Sequence, residues 1–243
     1  MATFRELIYI VLDKLKIQSD DSYFEEEHIM FLLNKYRPLI LKQRYSDIRK
    51  EIPDANYQSI NVSVSDSPEV NGSLDGSLYY KKSNVKIPTI LNLNGGQRII
   101  YLSYFKDFWS GEITYVNKDR FKYTGHNKWL LKTIYGTIGP DGYLYIKSED
   151  SNISTLTNVK ITSIFEDPTE VNKLDVDNAG KIKNPLDIEC PLEGNLIPVL
   201  VDMVVETLLP SHFRGSDIEN DAKDATSSDY SPVRTTQPQT KEK

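Results

Sequence analysis

The 243-residue sequence predicts an α+β protein: a helical bundle built from both chain ends, an inserted β-rich domain, antiparallel sandwich or barrel-like, and an extended C-terminal tail. Three observations carry this. Apolar residues recur at three- to four-residue spacing near the N-terminus, short Ile/Val/Tyr/Thr-rich runs take over from about residue 57, and residues 196 to 209 return to an apolar helical run.

Thr3-Phe4-Arg5-Glu6 reads as a capping box, in which the Thr hydroxyl takes an orphan amide and the Glu carboxylate reaches back. A first helix follows, with Phe4, Leu7, Ile8, Val11, Leu12 and Leu15 on one stripe and Arg5, Glu6, Asp13 and Lys14 turned to water. Ser22-x-x-Glu25 repeats the signal ahead of a second helix, expected to run to about residue 47. Glu25, Glu26 and Glu27 suit its positive end, and Lys42 and Arg44 its negative end. Pro38 removes an amide and predicts a kink near Arg37. Two short-linked amphipathic helices form a hairpin that still needs a third partner.

The runs "YQSINVSV", "VKIPTILNL", "RIIYLSY", "GEITYV", "KTIYGTI", "GYLYIKS" and "NVKITSIF" are separated by Gly, Asn, Asp and Pro and predict strands. Gly139-Pro140-Asp141-Gly142 predicts a β-hairpin turn. Residues 63 to 85, dominated by Ser, Gly, Asp and Asn, read as one long loop.

After residues 165 to 168 the chain turns helical and acidic, and residues 196 to 209 carry only Asp202 and Glu206 as charges, four residues apart on one face. So apolar a helix is expected to be buried against the N-terminal hairpin, with those two carboxylates on its exposed edge. Residues 226 to 243 have one aromatic and almost nothing to bury, so alone they should be disordered and only a partner would order them. The expected organisation is 1–56 helical hairpin, 57–167 inserted β-rich domain, 168–210 return segment and buried helix, and 211–243 extended tail.

Composition excludes several function classes. Hydrophobic residues at 39% and charged residues at 26% are ordinary for a globular chain that buries its own core. Cys190 is the only cysteine, which rules out an internal disulfide and a Cys-x-x-Cys zinc site and points to a reducing cytosol. No apolar run reaches the length of a membrane span, and the charged N-terminus does not read as a signal peptide. The net charge of −6 argues against a protein that grips DNA by its phosphates. His28, His126 and His212 have no metal-ligand spacing. Asp119 and His126 could meet Ser110 or Thr124, yet no nucleophile elbow is present, and Asp119 beside Arg120 reads better as a surface charge pair. Asn117-Lys118-Asp119 stands without a phosphate loop, and Gly95-Gly96 is a turn. Neither a catalytic group, nor a metal, nor a cofactor is expected.

The run "NKDRFKYTGHNKW" at 117 to 129 is the basic, aromatic exception. Aromatics beside cations suit base stacking with phosphate contact, equally suit a protein interface, and in strands are often simply core. Core plus interface is the favoured reading, because seven Lys/Arg against three acids between Arg98 and Lys132 is too small an excess for phosphate binding to dominate.

"TFRELIYIVLDKLK", "SDDSYFEEEHIMFLLNKYRPLILKQRYSDIRKEIP", "GEITYVNKDRFKYTGHNKWL", "YGTIGPDGYLYIKS" and "ITSIFEDP", in this order, resemble the portal-proximal ring protein, or head-to-tail adaptor, of crAss-like short-tailed phages. The resemblance covers about residues 1 to 209. It implies a structural virion protein of the head-to-tail junction, assembled in the host cytoplasm, in a ring expected to hold twelve copies. Implied partners are the portal, further ring or tail proteins, copies of itself, and genomic DNA sliding through the lumen without specific binding, with no membrane. A nucleic-acid-binding virion protein and a carbohydrate-active tail enzyme are the alternatives.

Under this reading the 117–129 run is a strand, a turn at Gly125 and a strand start at Trp129, a docking edge presenting Lys118, Arg120 and Lys122. Phe121, Tyr123, Trp129 and Trp109 are the aromatic anchors. His212, Phe213, Arg214 and Tyr230 are interface candidates of the tail, which the resemblance places along the portal.

Overall fold

A computed structural model of the chain describes residues 2–18, 24–67, 79–93, 97–98, 100–104, 112–124, 129–130, 132–174 and 184–213. The capping box forms as the sequence predicts: the Thr3 amide donates to Glu6 Oε2 at 3.0 Å and the Glu6 amide to Thr3 Oγ1 at 3.3 Å. Helix α1 follows as Phe4–Gln18 and α2 as Glu26–Arg44. Glu25 occupies the N-cap of α2 without a side-chain bond, and Ser22 lies outside the described residues. Helix α2 runs on through Pro38 and stops three residues before the expected end. The last helix, α5 (Ile197–Phe213), continues three residues into the stretch expected to be an extended tail.

Seven strands close into a barrel in the order β1-β2-β8-β7-β6-β5-β9. They are β1 (Gln58–Asp66), β2 (Tyr79–Ser83), β5 (Ile100–Tyr104), β6 (Glu112–Tyr115), β7 (Tyr135–Ile138), β8 (Leu144–Ser148) and β9 (Asn158–Ser163). A separate pair, β3 (Asn92–Leu93) and β4 (Gln97–Arg98), lies outside the barrel. All barrel pairings are antiparallel except β6 with β7, which are parallel because the segment between them crosses over instead of turning back. Closure leaves the ladder no free edge for accidental pairing.

Three expectations need correction. Residues 79–83 are a strand, not part of a long loop, and 63–66 belong to β1. The polar sequence "YYKKS" hides β2 because Lys81 and Ser83 are its inward residues. The Lys81 stem is buried while its ammonium donates to the Ser154 carbonyl at 2.9 Å and lies 3.4 Å from Asp66. Most of "VKIPTILNL" is extended chain without a ladder, pinned at points such as the Ile87 amide to the Gly142 carbonyl. Residues 117–124 are not a strand: Lys118–Phe121 is a one-turn helix, α3, followed by turn residues 122–124; Trp129 stands in a turn and starts no strand, and the turn expected at Gly125 lies outside the described residues. The predicted hairpin at 139–142 is present, with Gly142 at φ 82°, where a side chain would be strained.

Two apolar cores result. One gathers Phe4, Leu7, Val11, Ile29, Leu33, Leu200 and Val204 from α1, α2 and α5; the other fills the barrel with Ile60, Val62, Leu102, Ile146, Val159 and Ile161. Two chain crossings partition them. Leu91 and Ile164 point into the helical core, while their neighbours Ile90 and Phe165 point into the barrel core. The crossings bond to one another through the Leu91 amide and the Ile164 carbonyl at 2.8 Å. Helix α4 (Pro168–Leu174) covers the barrel beside β1, with Val171 in its core.

Candidate assembly surfaces

What fixes the helices to the barrel determines which faces remain free. Arg37 stands on α2 in line with Leu33 and Leu41, at a position a core residue would take, and is fully buried. Its Nη1 donates to the Phe165 carbonyl at 2.7 Å and its Nε to the Pro191 carbonyl at 3.0 Å. Burial lowers its pKa to about 10, opposed by Cys190 and Asp167, so it remains a cation at neutral pH. The N-terminal segment closes the other end of the return path: the Phe4 amide donates to Ile188 and the Cys190 amide to Ala2. Cys190 is buried and its thiol is pushed up to about 11, so it is inert.

Helix α3 lies on the outside of the barrel against β7. Beneath it Lys147, only 1% exposed, holds its Nζ 4.8 Å from the centre of the Phe121 ring. Phe121 is thus half-buried and packs α3 down onto β8. Lys118, Asp119 and Arg120 remain exposed around the short helix, and Lys122 stacks over the exposed Tyr123 at 4.7 Å. Trp129 is 86% exposed, with Leu130 beside it. A groove of about 720 Å³ separates the start of α3 from the β7–β8 turn, bounded by Pro88, Asn117, Asp119 and Pro140. The structure therefore brings Lys118, Arg120, Lys122 and Tyr123 onto one exposed corner. Trp109, Arg214 and Tyr230 lie outside the described residues, as do the side chains of His212 and Phe213.

Sequence reasoning missed two features. Lys82 sits 4.4 Å from the Tyr143 ring and 3.3 Å from Asp141, which also accepts from the Tyr145 hydroxyl at 2.6 Å and the Tyr143 amide at 3.3 Å, a second basic-aromatic corner at the hairpin. Its signal is the strand missed at 79–83. The other feature is apolar exposure on the helices. Phe31 is 60% and Leu39 42% exposed on α2, and Tyr9, Ile10 and Val199 are exposed on α1 and α5. Helical spacing already leaves Tyr9 and Ile10 off the buried stripe of α1, but α5 is apolar nearly all round, so Val199 cannot be told from core in sequence.

Among the described residues no group of three or more His, Cys, Asp and Glu side chains could hold a metal ion, and no helix is long and apolar enough to cross a membrane.

Residues 6–229 match the family model described as phage tail ring protein 2. The chain is also 44% identical over 224 residues to "Ring protein 2" of Bacteroides phage crAss001, an alignment covering 91% of this chain and 97% of that protein.

Proposed function

Since the chain belongs to the phage tail ring protein 2 family, whose members are structural proteins of the phage particle and not enzymes, we propose that it forms one ring between portal and tail. The ring joins head to tail, and its lumen is the channel through which the genome leaves. The observation that carries this reading is the family match over nearly the whole chain, supported by a two-core subunit in which Arg37 on α2 bonds to the Phe165 and Pro191 carbonyls. A lumen that lets DNA slide must not hold phosphates, and a net charge of −6 suits it, since every basic residue on the channel wall is repeated once per copy.

In this reading the helices α1, α2 and α5 form a three-helix wedge, about twelve wedges close the ring, and the corner bearing Lys118, Arg120 and Lys122 with Tyr123 and Trp129 docks on a neighbouring protein. Residues 211 to 243 clasp the portal. A reconstruction of the intact particle tests it. Density for this chain as a ring directly beneath the portal is expected; a position elsewhere in the tail would overturn the junction role.

A further inference from the structure

A ring needs two different, mutually complementary patches on opposite sides of each subunit, because a patch that pairs with itself yields a two-fold dimer and stops. The helical layer carries two such patches. On α2, His28, Phe31, Lys35, Leu39 and Lys42 recur at three- and four-residue spacing and are all exposed, a stripe with two large apolar side chains and two lysines. Lys42 is partly engaged, 3.9 Å from Glu166, while Lys35 stands at the centre of the stripe.

The other patch straddles α1 and α5. Lys14 reaches across to Asp202 at 2.6 Å, so these two helices are neighbours at the surface. One turn before Lys14 stands the exposed Ile10, and Asp13 points straight outward. On α5 the exposed residues Val199, Asp202 and Glu206 continue the surface, which is apolar and acidic. All three helices bury their inner stripes in one core, so the outward side of the α1–α5 seam faces away from the outward side of α2.

We infer that the α2 stripe of one copy packs against the α1–α5 face of the next, with Phe31 and Leu39 covering Ile10 and Val199, and Lys35 set against the acids led by Asp13. This rests on the ring reading and names the interface by which the ring closes. The occupant is a second copy because both faces combine exposed apolar side chains with opposite charge, and because head-to-tail contact between unlike faces is what a ring requires.

The test uses full-length chain carrying Lys35→Cys and Asp13→Cys, assembled into particles and treated with a short bis-maleimide. Cys190 is buried and contributes no background. A ladder of dimer, trimer and higher species is expected from the double variant, and monomer alone from each single one. Dimers from Lys35→Cys alone would mean that like faces meet, and monomer alone from the double variant in correctly formed particles would place the interface elsewhere; either overturns the inference while the ring reading stands. Absence of the unmodified chain from any ring would instead overturn the ring reading. If the cysteine variants do not enter particles, Lys35→Asp and Asp13→Lys are compared. Each alone should lower incorporation at least about ten-fold and the pair should restore it; no loss in the single variants, or no restoration in the pair, overturns the inference.

Discussion

Arg37 Nη1 donates to the carbonyl of Phe165 across 2.7 Å, and this bond joins the helical core to the barrel at the crossing where the chain passes between them. Both partners are fully buried. The same guanidinium holds Pro191 on the return segment, so three parts of the chain meet on one side chain.

Removing that cation while keeping its bulk tests the joint. Arg37→Met should leave two buried carbonyls without donors and cost about 3 kcal/mol, since each orphaned acceptor costs about 1–3 kcal/mol and relief of the buried charge returns part of it. Urea denaturation reads the loss as a lower midpoint. A midpoint unchanged from the natural chain would show that the joint does not depend on Arg37.

Alkaline pH probes a second tie. The Tyr45 hydroxyl donates to Glu193 Oε1 at 2.7 Å, and burial, reinforced by that bond, pushes its pKa up to about 12. The folded state therefore keeps a proton that the unfolded chain releases near pH ~10. This stability is fully present below about pH 10 and is lost as pH rises through about 12. Tyr57 is raised in the same sense by burial, then by Tyr101, while Arg37, lowered to about 10, acts oppositely. Denaturation midpoints should fall less steeply above pH ~10 in Tyr45→Phe than in the natural chain; equal slopes would show that Tyr45 does not contribute.

Gly136 lies within the barrel, where an added Cβ would stand 2.6 Å from Leu102 Cδ1 and 3.2 Å from Ile113 Cγ2. Gly136→Ala should overpack this core and lower stability by about 1–3 kcal/mol. Thermal unfolding followed by circular dichroism gives the number, and an unchanged midpoint would mean that the barrel yields at that point.

The exposed corner on α3 should behave in the opposite way. Lys118, Arg120 and Lys122 are all solvent-exposed, so replacing the three with Glu should change stability by no more than about 0.5 kcal/mol per site. Incorporation into particles, measured on the purified virion, should nevertheless fall sharply. Normal incorporation of the folded triple variant would move the docking surface away from this corner.

How much of this was legible in the sequence follows from the range of the interactions involved. The Thr3–Glu6 box, the Phe4-Leu7-Ile8-Val11-Leu15 stripe and the turn at 139–142 each depend on residues three or four positions apart, so the local pattern determined them. The mixture of a helical and a β-rich part was likewise written in the change of period. The strand at 79–83 was not, because its inward Lys81 is tolerated only where Ser154 and Asp66 happen to receive the ammonium. Nor was the helical turn at 118–121, whose Phe121 is held by a lysine from β8 and not by its own neighbours in sequence.

By itself, then, the sequence determined the class of each long element and the family to which the whole arrangement belongs. Only the tertiary structure decided that the strands close on themselves through β1 with β9 and β2 with β8, partners from 63 to 105 residues apart. It also decided which apolar helical residues are core and which stand exposed. A residue such as Phe31 or Val199 has the same chemistry in either place, and its role is set by whether another element of the chain arrives to cover it.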